Sequence, residues 1–99
     1  MARFDVYAAA ESQVLLLDCQ ADLLSVLDTR FVVPLFPPSQ RRPAFPRLNP
    51  VFVVNGAKFE MITQGAASVT TKALGRPIAS LASEQSAIMN ALDMLLTGF

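Results

Sequence analysis

The sequence has no histidine and no tryptophan, and its single cysteine is Cys19. Without histidine the chain lacks the usual general base near neutral pH, and the usual ligand sets for zinc are also missing. The four glycines are spread along the chain and form no glycine-rich phosphate loop. These absences exclude most hydrolases, zinc proteins and nucleotide-binding proteins, so we expect no cofactor and no metal.

Charged residues are scarce as well, at 16% of 99 residues against 53% apolar residues, and the formal net charge is zero. A neutral chain argues against a domain that holds nucleic acid through phosphate contacts alone. The apolar excess is high for a small soluble monomer, and it predicts a buried subunit interface.

No apolar run is long enough to span a membrane, because Asp18, Asp22, Pro34 or Asp93 interrupts each of the longest runs. The N-terminal segment MARFDVYAAAES carries an acid and has no long apolar stretch before its small residues, so it does not resemble a signal peptide. We therefore expect a cytoplasmic protein with no membrane partner.

Two features near residue 20 call for an interpretation. Cys19 lies in the apolar run VLLLDC, where a buried thiol is favoured over a reactive one. The eight acids are scattered, and only Asp18 and Asp22 are spaced four apart. We interpret these two as a surface or turn pair, with a catalytic role as the alternative.

Alternating apolar and polar residues predict several strands. Residues 3–7 have the period of a half-buried strand, and residues 14–19 are apolar enough for a strand buried on both faces. Residues 31–36 predict a third strand that contains Pro34. Because proline lacks a backbone N–H, we expect this strand at a sheet edge or with a bulge.

The clearest local signal is a β-hairpin. Residues 51–54 and 57–61 flank Asn55-Gly56, a pair that readily supplies the two positive φ angles of a tight turn. One or two further short strands are predicted around residues 68–74.

The last part of the chain has the pattern of an amphipathic helix that begins at about Ser83. Ser80 or Ser83 suits its N-terminal cap, Glu84 suits its first turn, and Gly98 suits the position just after its last turn. The apolar residues at helical spacing are Ile88, Leu92, Leu95, Leu96 and Phe99.

Residues 37–50 hold five of the seven prolines and three of the eight basic residues, Arg41, Arg42 and Arg47, but no acid. The prolines deny this segment a helix or a regular strand, so we expect an exposed extended loop. It is either a solvated connection or a basic arm that meets an acidic partner or DNA. Strands, loop, hairpin and terminal helix together predict one domain over residues 1–99, either a small barrel or an α+β sandwich.

In order and spacing, several stretches resemble the CcdB family of gyrase-poisoning toxins along nearly the whole chain, with the proline-rich loop matching least. The matching stretches are Phe4-x-Val6-Tyr7, residues 17–24, residues 30–35, Asn49-Pro50-Val51, residues 61–69 and residues 90–95.

The resemblance implies a mainly β fold with a C-terminal helix, an SH3-like (CcdB/MazF-type) small barrel that forms a homodimer with its terminal helices close together. It implies a toxin that is not an enzyme, binds the A subunit of DNA gyrase and traps the gyrase–DNA cleavage complex. It also implies a CcdA-like antitoxin with a disordered C-terminal tail. Toxin and antitoxin together repress their operon, and operator DNA is contacted through the antitoxin complex.

The resemblance also assigns binding residues. The family ends in Trp-Gly-Ile, whereas this chain ends in Thr97-Gly98-Phe99, and the other positions near the gyrase surface correspond to Phe4, Leu23, Leu24 and Asp93. As alternatives, Phe4, Leu23, Leu24 and Leu96 are ordinary core residues, and Phe99 packs back on the barrel.

Two other functions stay open at this point. One is a ribonuclease on the same barrel, for which Arg30, Thr70 and Thr71 are weak candidates. The other is a degenerate or retargeted toxin, suggested by Thr97 in place of tryptophan, that binds its antitoxin but not gyrase.

Overall fold

The described part of the chain forms seven strands followed by one α-helix. A computed structural model describes residues 2–9, 12–38 and 45–98. The elements are β1 (Asp5–Ala8), β2 (Leu15–Asp18), β3 (Thr29–Phe36), β4 (Val51–Val54), β5 (Ala57–Met61), β6 (Ala67–Thr70), β7 (Pro77–Ser80) and α1 (Gln85–Thr97). Short 3₁₀ turns lie at Asp22–Leu24, Thr63–Gly65, Thr71–Ala73 and Ala82–Glu84.

All seven strands join one antiparallel sheet, in the order β4-β5-β3-β2-β1-β7, with β6 paired to β3 beside β5. β3 is the longest strand and the centre of the arrangement, because it pairs with β2 along one side and with both β5 and β6 along the other. The predicted fold class, mainly β with a C-terminal helix, is confirmed.

Pro34 lies in the central strand β3, so the prediction of an edge strand is wrong. Cys19 N–H donates to Phe31 C=O, so the backbone N–H and C=O groups of the odd-numbered residues of β3 point towards β2. The backbone groups of the even-numbered residues, which include Pro34, point towards the other side of β3. There the partner of β3 changes from β5 to β6, and Pro34 C=O accepts the N–H of Ile62. The missing N–H therefore falls where no regular ladder runs.

The hairpin of β4 and β5 is confirmed. Val54 pairs with Ala57, and the turn residues Asn55 and Gly56 have φ angles of 50° and 84°. Both central residues are thus left-handed, as a tight turn that follows the strand twist requires.

Both faces of β2 are buried, as predicted. One face joins α1 and most strands in a large apolar cluster, and the other contributes to a smaller cluster around Tyr7, Val32 and Leu74. The large cluster comprises Phe4, Val6, Leu15, Leu17, Cys19, Val33, Leu35, Phe52, Val54, Met61, Leu81, Ile88, Ala91 and Leu92.

The helix α1 begins two residues later than predicted, after the 3₁₀ turn Ala82–Glu84. The prediction of Ser80 or Ser83 as the N-cap is wrong, because Leu81 precedes the 3₁₀ turn and Glu84 precedes α1, neither with a capping side-chain hydrogen bond. Ser80 Oγ does accept the N–H of Ala82 at 3.2 Å. Gly98 has φ +81° and donates its N–H to Met94 C=O, which confirms it as the residue that ends the helix. Within the part of the chain that the structure describes, no helix has the length and apolar character needed to span a bilayer.

Candidate functional site

The segment between β2 and β3 exposes an unusual amount of apolar surface. All residues from 21 to 28 are exposed, including Leu23 at 88% and Val26 at 89%, and Leu24 and Leu27 are each 45% exposed. Four large aliphatic side chains on one short loop are more than the scattered exposed residues of an ordinary surface. A clustered apolar surface of this kind is typical of a site that another protein covers.

The exposed loop is a folded turn. Asp22–Leu24 is a 3₁₀ turn, and Ser25 N–H donates to Asp22 C=O at 3.0 Å. Gln20 stabilises it through two amide contacts, since its Nε2 donates to Leu24 C=O and its Oε1 accepts the N–H of Phe31. Leu23 and Leu24, assigned from the resemblance, are therefore surface residues and not core.

The end of α1 carries a second group of exposed residues. Asp93, Thr97 and Gly98 are exposed, and Leu96 is 76% exposed, which excludes the core alternative for Leu96. Thr97 Oγ1 donates to Asp93 C=O at 2.6 Å, so the hydroxyl is satisfied within its own helix. Phe99 lies outside the described residues.

Arg3 connects the loop to the helix. Its backbone N–H donates to Asp22 Oδ1 at 2.8 Å, and its Nη2 lies 3.3 Å from Met89 Sδ of α1. Met89, Asp93 and Leu96 follow at helical positions i, i+4 and i+7, which share one side of a helix. Arg3 thus contacts the loop through its backbone N–H and, through its side chain, the side of α1 that carries Asp93 and Leu96. We call loop 21–28 with this side of α1 the apolar face.

Phe4 belongs to the core, so the assignment of its side chain to the surface is not supported. It is 3% exposed, in the large apolar cluster, and the Arg3 guanidinium lies 4.8 Å from its ring centroid. Its φ is 71°, a left-handed conformation that is rare for a bulky residue. This angle ends the extended chain, and β1 begins only at Asp5.

Asp18 forms a buried ion pair with Arg30, so the interpretation of Asp18 and Asp22 as a surface or turn pair is wrong for Asp18. Arg30 Nε and Nη2 donate to Asp18 Oδ2 at 2.9 and 2.6 Å, and the two side chains are 1% and 0% exposed. Asp18 Oδ1 also accepts the N–H of Gln20. Arg30 is therefore enclosed and cannot act on RNA at the surface.

Thr70 and Thr71, the other weak ribonuclease candidates, line a shallow pocket of about 180 Å³ together with Asp28 and Lys72. Thr71 N–H donates to Asp28 C=O, which closes one side of the pocket. One cation, one carboxylate and two hydroxyls meet here, but Arg30 does not join them.

Cys19 is a buried core residue, as predicted. Burial raises the pKa of its thiol to about 12, with a smaller contribution from Asp18, while Arg3 opposes the shift. A thiol with so high a pKa is almost fully protonated at neutral pH and is a poor nucleophile.

No group of three or more potential metal-ligating His, Cys, Asp or Glu side chains occurs within residues 2–9, 12–38 and 45–98.

Other site assignments are only partly covered by the structure. Arg41 and Arg42 of the basic loop lie outside the described residues, and Arg47 is exposed.

Sequence reasoning missed Val26, Leu27 and Arg3. For Val26 and Leu27 the sequence carries a signal of surface exposure. The two residues stand between Ser25 and Asp28, in a segment whose ends are too polar for a strand.

The chain is similar to known proteins in its fold and in the sequence pattern of a family. A search of curated protein sequences gives no significant match. A solved structure, described as "Endoribonuclease in complex with its cognate antitoxin from Mycobacterial species", has a TM-score of 0.76 at 14% identity and covers 97% of this chain and 94% of that chain. At this identity the similarity shows a shared fold and nothing finer.

The sequence model of the family described as CcdB protein matches residues 3–98. This range includes the apolar loop, the buried Asp18–Arg30 pair and α1, and it confirms the resemblance seen in the sequence. Because the match spans nearly the whole chain, the protein belongs to the CcdB family.

Proposed function

We propose that this chain is the toxin of a type II toxin–antitoxin pair, and that it binds the A subunit of DNA gyrase and traps the gyrase–DNA cleavage complex. Membership of the CcdB family supports the proposal. The observation that carries it in this chain is the apolar face, on which Leu23, Leu24 and Val26 of the loop and Leu96 of α1 are exposed. The action is binding of a partner, so the protein needs no catalytic group.

The apolar face suits a protein partner better than a small molecule. Its residues lie on an exposed loop and an exposed side of a helix, and no residue of the face is buried in a cleft as in the concave sites of small molecules. Its aliphatic centre is bordered by Asp22, Asp28 and Asp93, which gives the apolar core and polar rim of many protein interfaces. The chain has no tryptophan to act as an anchor, and we assign that part to Phe99, the last residue of the sequence.

A gyrase cleavage assay tests the proposal directly. Purified protein is incubated with gyrase, ATP and supercoiled plasmid, and covalent complexes are trapped with detergent and protease. We expect linear DNA from the wild type and at least tenfold less from the Leu23→Ala/Leu24→Ala double variant, because each truncated contact at an interface centre costs over about 1 kcal/mol. Val53→Ala, which truncates an exposed apolar residue of β4, serves as the matched control and should retain wild-type activity.

Phe99→Ala separates a functional terminus from a core residue. For a free aromatic anchor we expect weaker poisoning with a melting temperature within a degree or two of the wild type. A large loss of thermal stability would show that Phe99 packs on the barrel instead.

The same proposal includes three assembly partners. We propose a homodimer, for which the solution mass should be twice the 10.7 kDa of the chain. We also propose a CcdA-like antitoxin whose disordered tail covers the toxin, and operator binding only through the antitoxin complex. Reversing the charges of Arg41, Arg42 and Arg47 should weaken antitoxin or operator binding, and unchanged affinity would make the basic loop a plain connection.

An endoribonuclease on the same fold is the second candidate. The structural neighbour described as an endoribonuclease favours it, as does the pocket of Asp28, Thr70, Thr71 and Lys72. Against it stands the burial of Arg30 in an ion pair. Cleaved transcripts in the absence of gyrase, lost on Thr70→Ala/Thr71→Ala, would replace the gyrase proposal. A protein that cleaves neither substrate but binds an antitoxin peptide would be the degenerate toxin that Thr97 suggests.

A further inference from the structure

The loop of residues 21–28 has no buried side chain to hold it in place. Its internal backbone hydrogen bonds shape the turn but do not attach it to the rest of the molecule. A segment with few buried apolar contacts opens easily unless specific hydrogen bonds fix it. The position of Leu23 and Leu24 therefore depends on how the loop is tethered.

Three tethers hold the loop. Gln20 Nε2 donates to Leu24 C=O at 3.1 Å, and Asp28 C=O accepts the N–H of Thr71 at 2.9 Å. The third is the bond from Arg3 N–H to Asp22 Oδ1 at 2.8 Å, which joins residues 19 positions apart. Gln20 lies directly beside the loop and Thr71 lies next to β6, so the Asp22 tether is the one that leads towards α1.

The Arg3 side chain continues this connection to the helix. Nη2 lies 3.3 Å from Met89 Sδ, and Nε donates to Cys19 C=O at 3.3 Å. The guanidinium also lies over the ring of Phe4, at 4.8 Å from its centroid. One residue thus contacts the loop through its backbone and α1 through its side chain.

The backbone beside Arg3 is fixed on both sides. Phe4 N–H donates to Asp18 C=O at 2.6 Å, and Phe4 C=O accepts the N–H of Leu81 at 2.9 Å. Its left-handed φ of 71° persists because the packed ring and these two bonds hold it. The backbone that carries Arg3 N–H is therefore held in place, and a hydrogen bond to this N–H fixes the position of the loop.

We infer that Asp22 and Arg3 are positioning residues that tie the apolar loop to the rigid backbone of Arg3 and Phe4, and through the Arg3 side chain to α1, and so preorganise the apolar face for its partner. The tether needs a hydrogen-bond acceptor at residue 22, not a negative charge. The part of the inference that concerns binding rests on the proposed function, whereas the placement of the loop does not.

Two variants at residue 22 separate the hydrogen bond from the charge. Asp22→Ala removes the acceptor and the charge, whereas Asp22→Asn removes the charge but keeps an oxygen that accepts from Arg3 N–H. Asp28→Ala is the matched control, because it removes the other acid of the same loop while its tethering C=O remains. Melting temperatures within a few degrees of the wild type establish that all three variants fold.

The first readout is amide hydrogen exchange, which needs no partner. In Asp22→Ala we expect exchange at Arg3 and at the loop amides to be faster by about tenfold or more, because local opening sets these rates. Asp22→Asn and Asp28→Ala should stay within about threefold of the wild type. Equal exchange in Asp22→Ala and wild type, or equally fast exchange in Asp22→Asn, would overturn the inference.

The second readout is binding to the purified A subunit of gyrase. If only one molecule in about ten holds the loop in place, Asp22→Ala should bind about tenfold more weakly, with most of the loss in the association rate. Asp22→Asn lacks the same rim charge and is therefore the reference, so it should bind about tenfold more tightly than Asp22→Ala. Wild-type affinity of an Asp22→Ala variant with a loosened loop would overturn the role in binding. A wild type that does not bind gyrase would defeat the proposed function, and the exchange data alone would then decide the placement of the loop.

Discussion

At the scale of single residues, the buried pair of Asp18 and Arg30 shows how a polar contact is kept inside a small apolar protein. Both side chains are enclosed, and Asp18 has a further hydrogen bond from Gln20 N–H. Removing one partner from such a pair leaves a buried charge without compensation, whereas replacing both can be nearly neutral.

We therefore expect Arg30→Met to lower the free energy of unfolding by about 3–5 kcal/mol, because it leaves the Asp18 carboxylate unpaired. The double variant Asp18→Leu/Arg30→Met should recover most of this loss. Urea unfolding of the wild type, Arg30→Met, Asp18→Leu and the double variant measures both effects. If the losses from the two sites simply added, the two residues would not stabilise each other.

Cys19 offers a second test at this scale. Its pKa is raised to about 12 from 9.0, chiefly by burial, so the reactive thiolate is rarer by roughly a thousandfold at pH 8 than in an exposed thiol. We expect iodoacetamide to leave the native protein unmodified under conditions that fully alkylate it in urea. Rapid alkylation of the native protein would show that the thiol reaches solvent.

At the scale of elements, Gly98 ends α1 at a position where only the backbone angle matters. A Cβ added at Gly98 or at Gly75 would meet no atom within 4 Å, but only Gly98 has a positive φ, +81°. Gly98→Ala should therefore lower stability by about 1 kcal/mol through backbone strain, while Gly75→Ala should not. Urea unfolding followed by circular dichroism compares the two. Equal effects would mean that the helix end tolerates an alanine without strain.

The elements differ in how far the sequence predicts them, for physical reasons. The hairpin at Asn55-Gly56 and the helix α1 were predicted because their signals are local: a turn pair in one case and a helical period in the other. β7 was not predicted, since Pro77–Ser80 has no alternation and is a strand only because it pairs with β1. Pro34 misled the prediction because the change of partner along β3 is a tertiary feature.

The residues of the candidate site likewise divide into those that the sequence predicted and those that it did not. Leu23, Leu24 and Asp93 were assigned from the family resemblance, and the structure places them on the surface. Phe4 was assigned with them, but a left-handed backbone turns its ring into the core, and no local pattern of residues signals that angle. The contact of Arg3 with Asp22 joins segments distant in sequence, so it was visible only in three dimensions.

At the scale of the whole molecule, two apolar clusters lie on opposite faces of the central strands, and each contains an ionisable group: Cys19 belongs to the larger cluster and Tyr7 to the smaller one. Burial raises the pKa of Tyr7, with smaller contributions from Asp5 and Asp18, and burial also raises the pKa of Cys19. Both groups are neutral when protonated, and the folded state favours that form. The stability of the whole fold should therefore depend on pH on the alkaline side.

The sign of this dependence follows from proton binding. Below pH 9 the Cys19 thiol is protonated in both states and has no effect, whereas between 9 and about 12 the unfolded chain loses the proton that the folded chain keeps. Stability therefore falls as pH rises, by at most about 1.4 kcal/mol per pH unit and about 4 kcal/mol in all from this group. Cys19→Ala removes this contribution but keeps that of Tyr7, which acts above pH 10. Urea unfolding at pH 8, 9 and 10 should thus give a steeper decline for the wild type than for Cys19→Ala, and parallel declines would show that the thiol ionises as readily in the folded protein as in the unfolded chain.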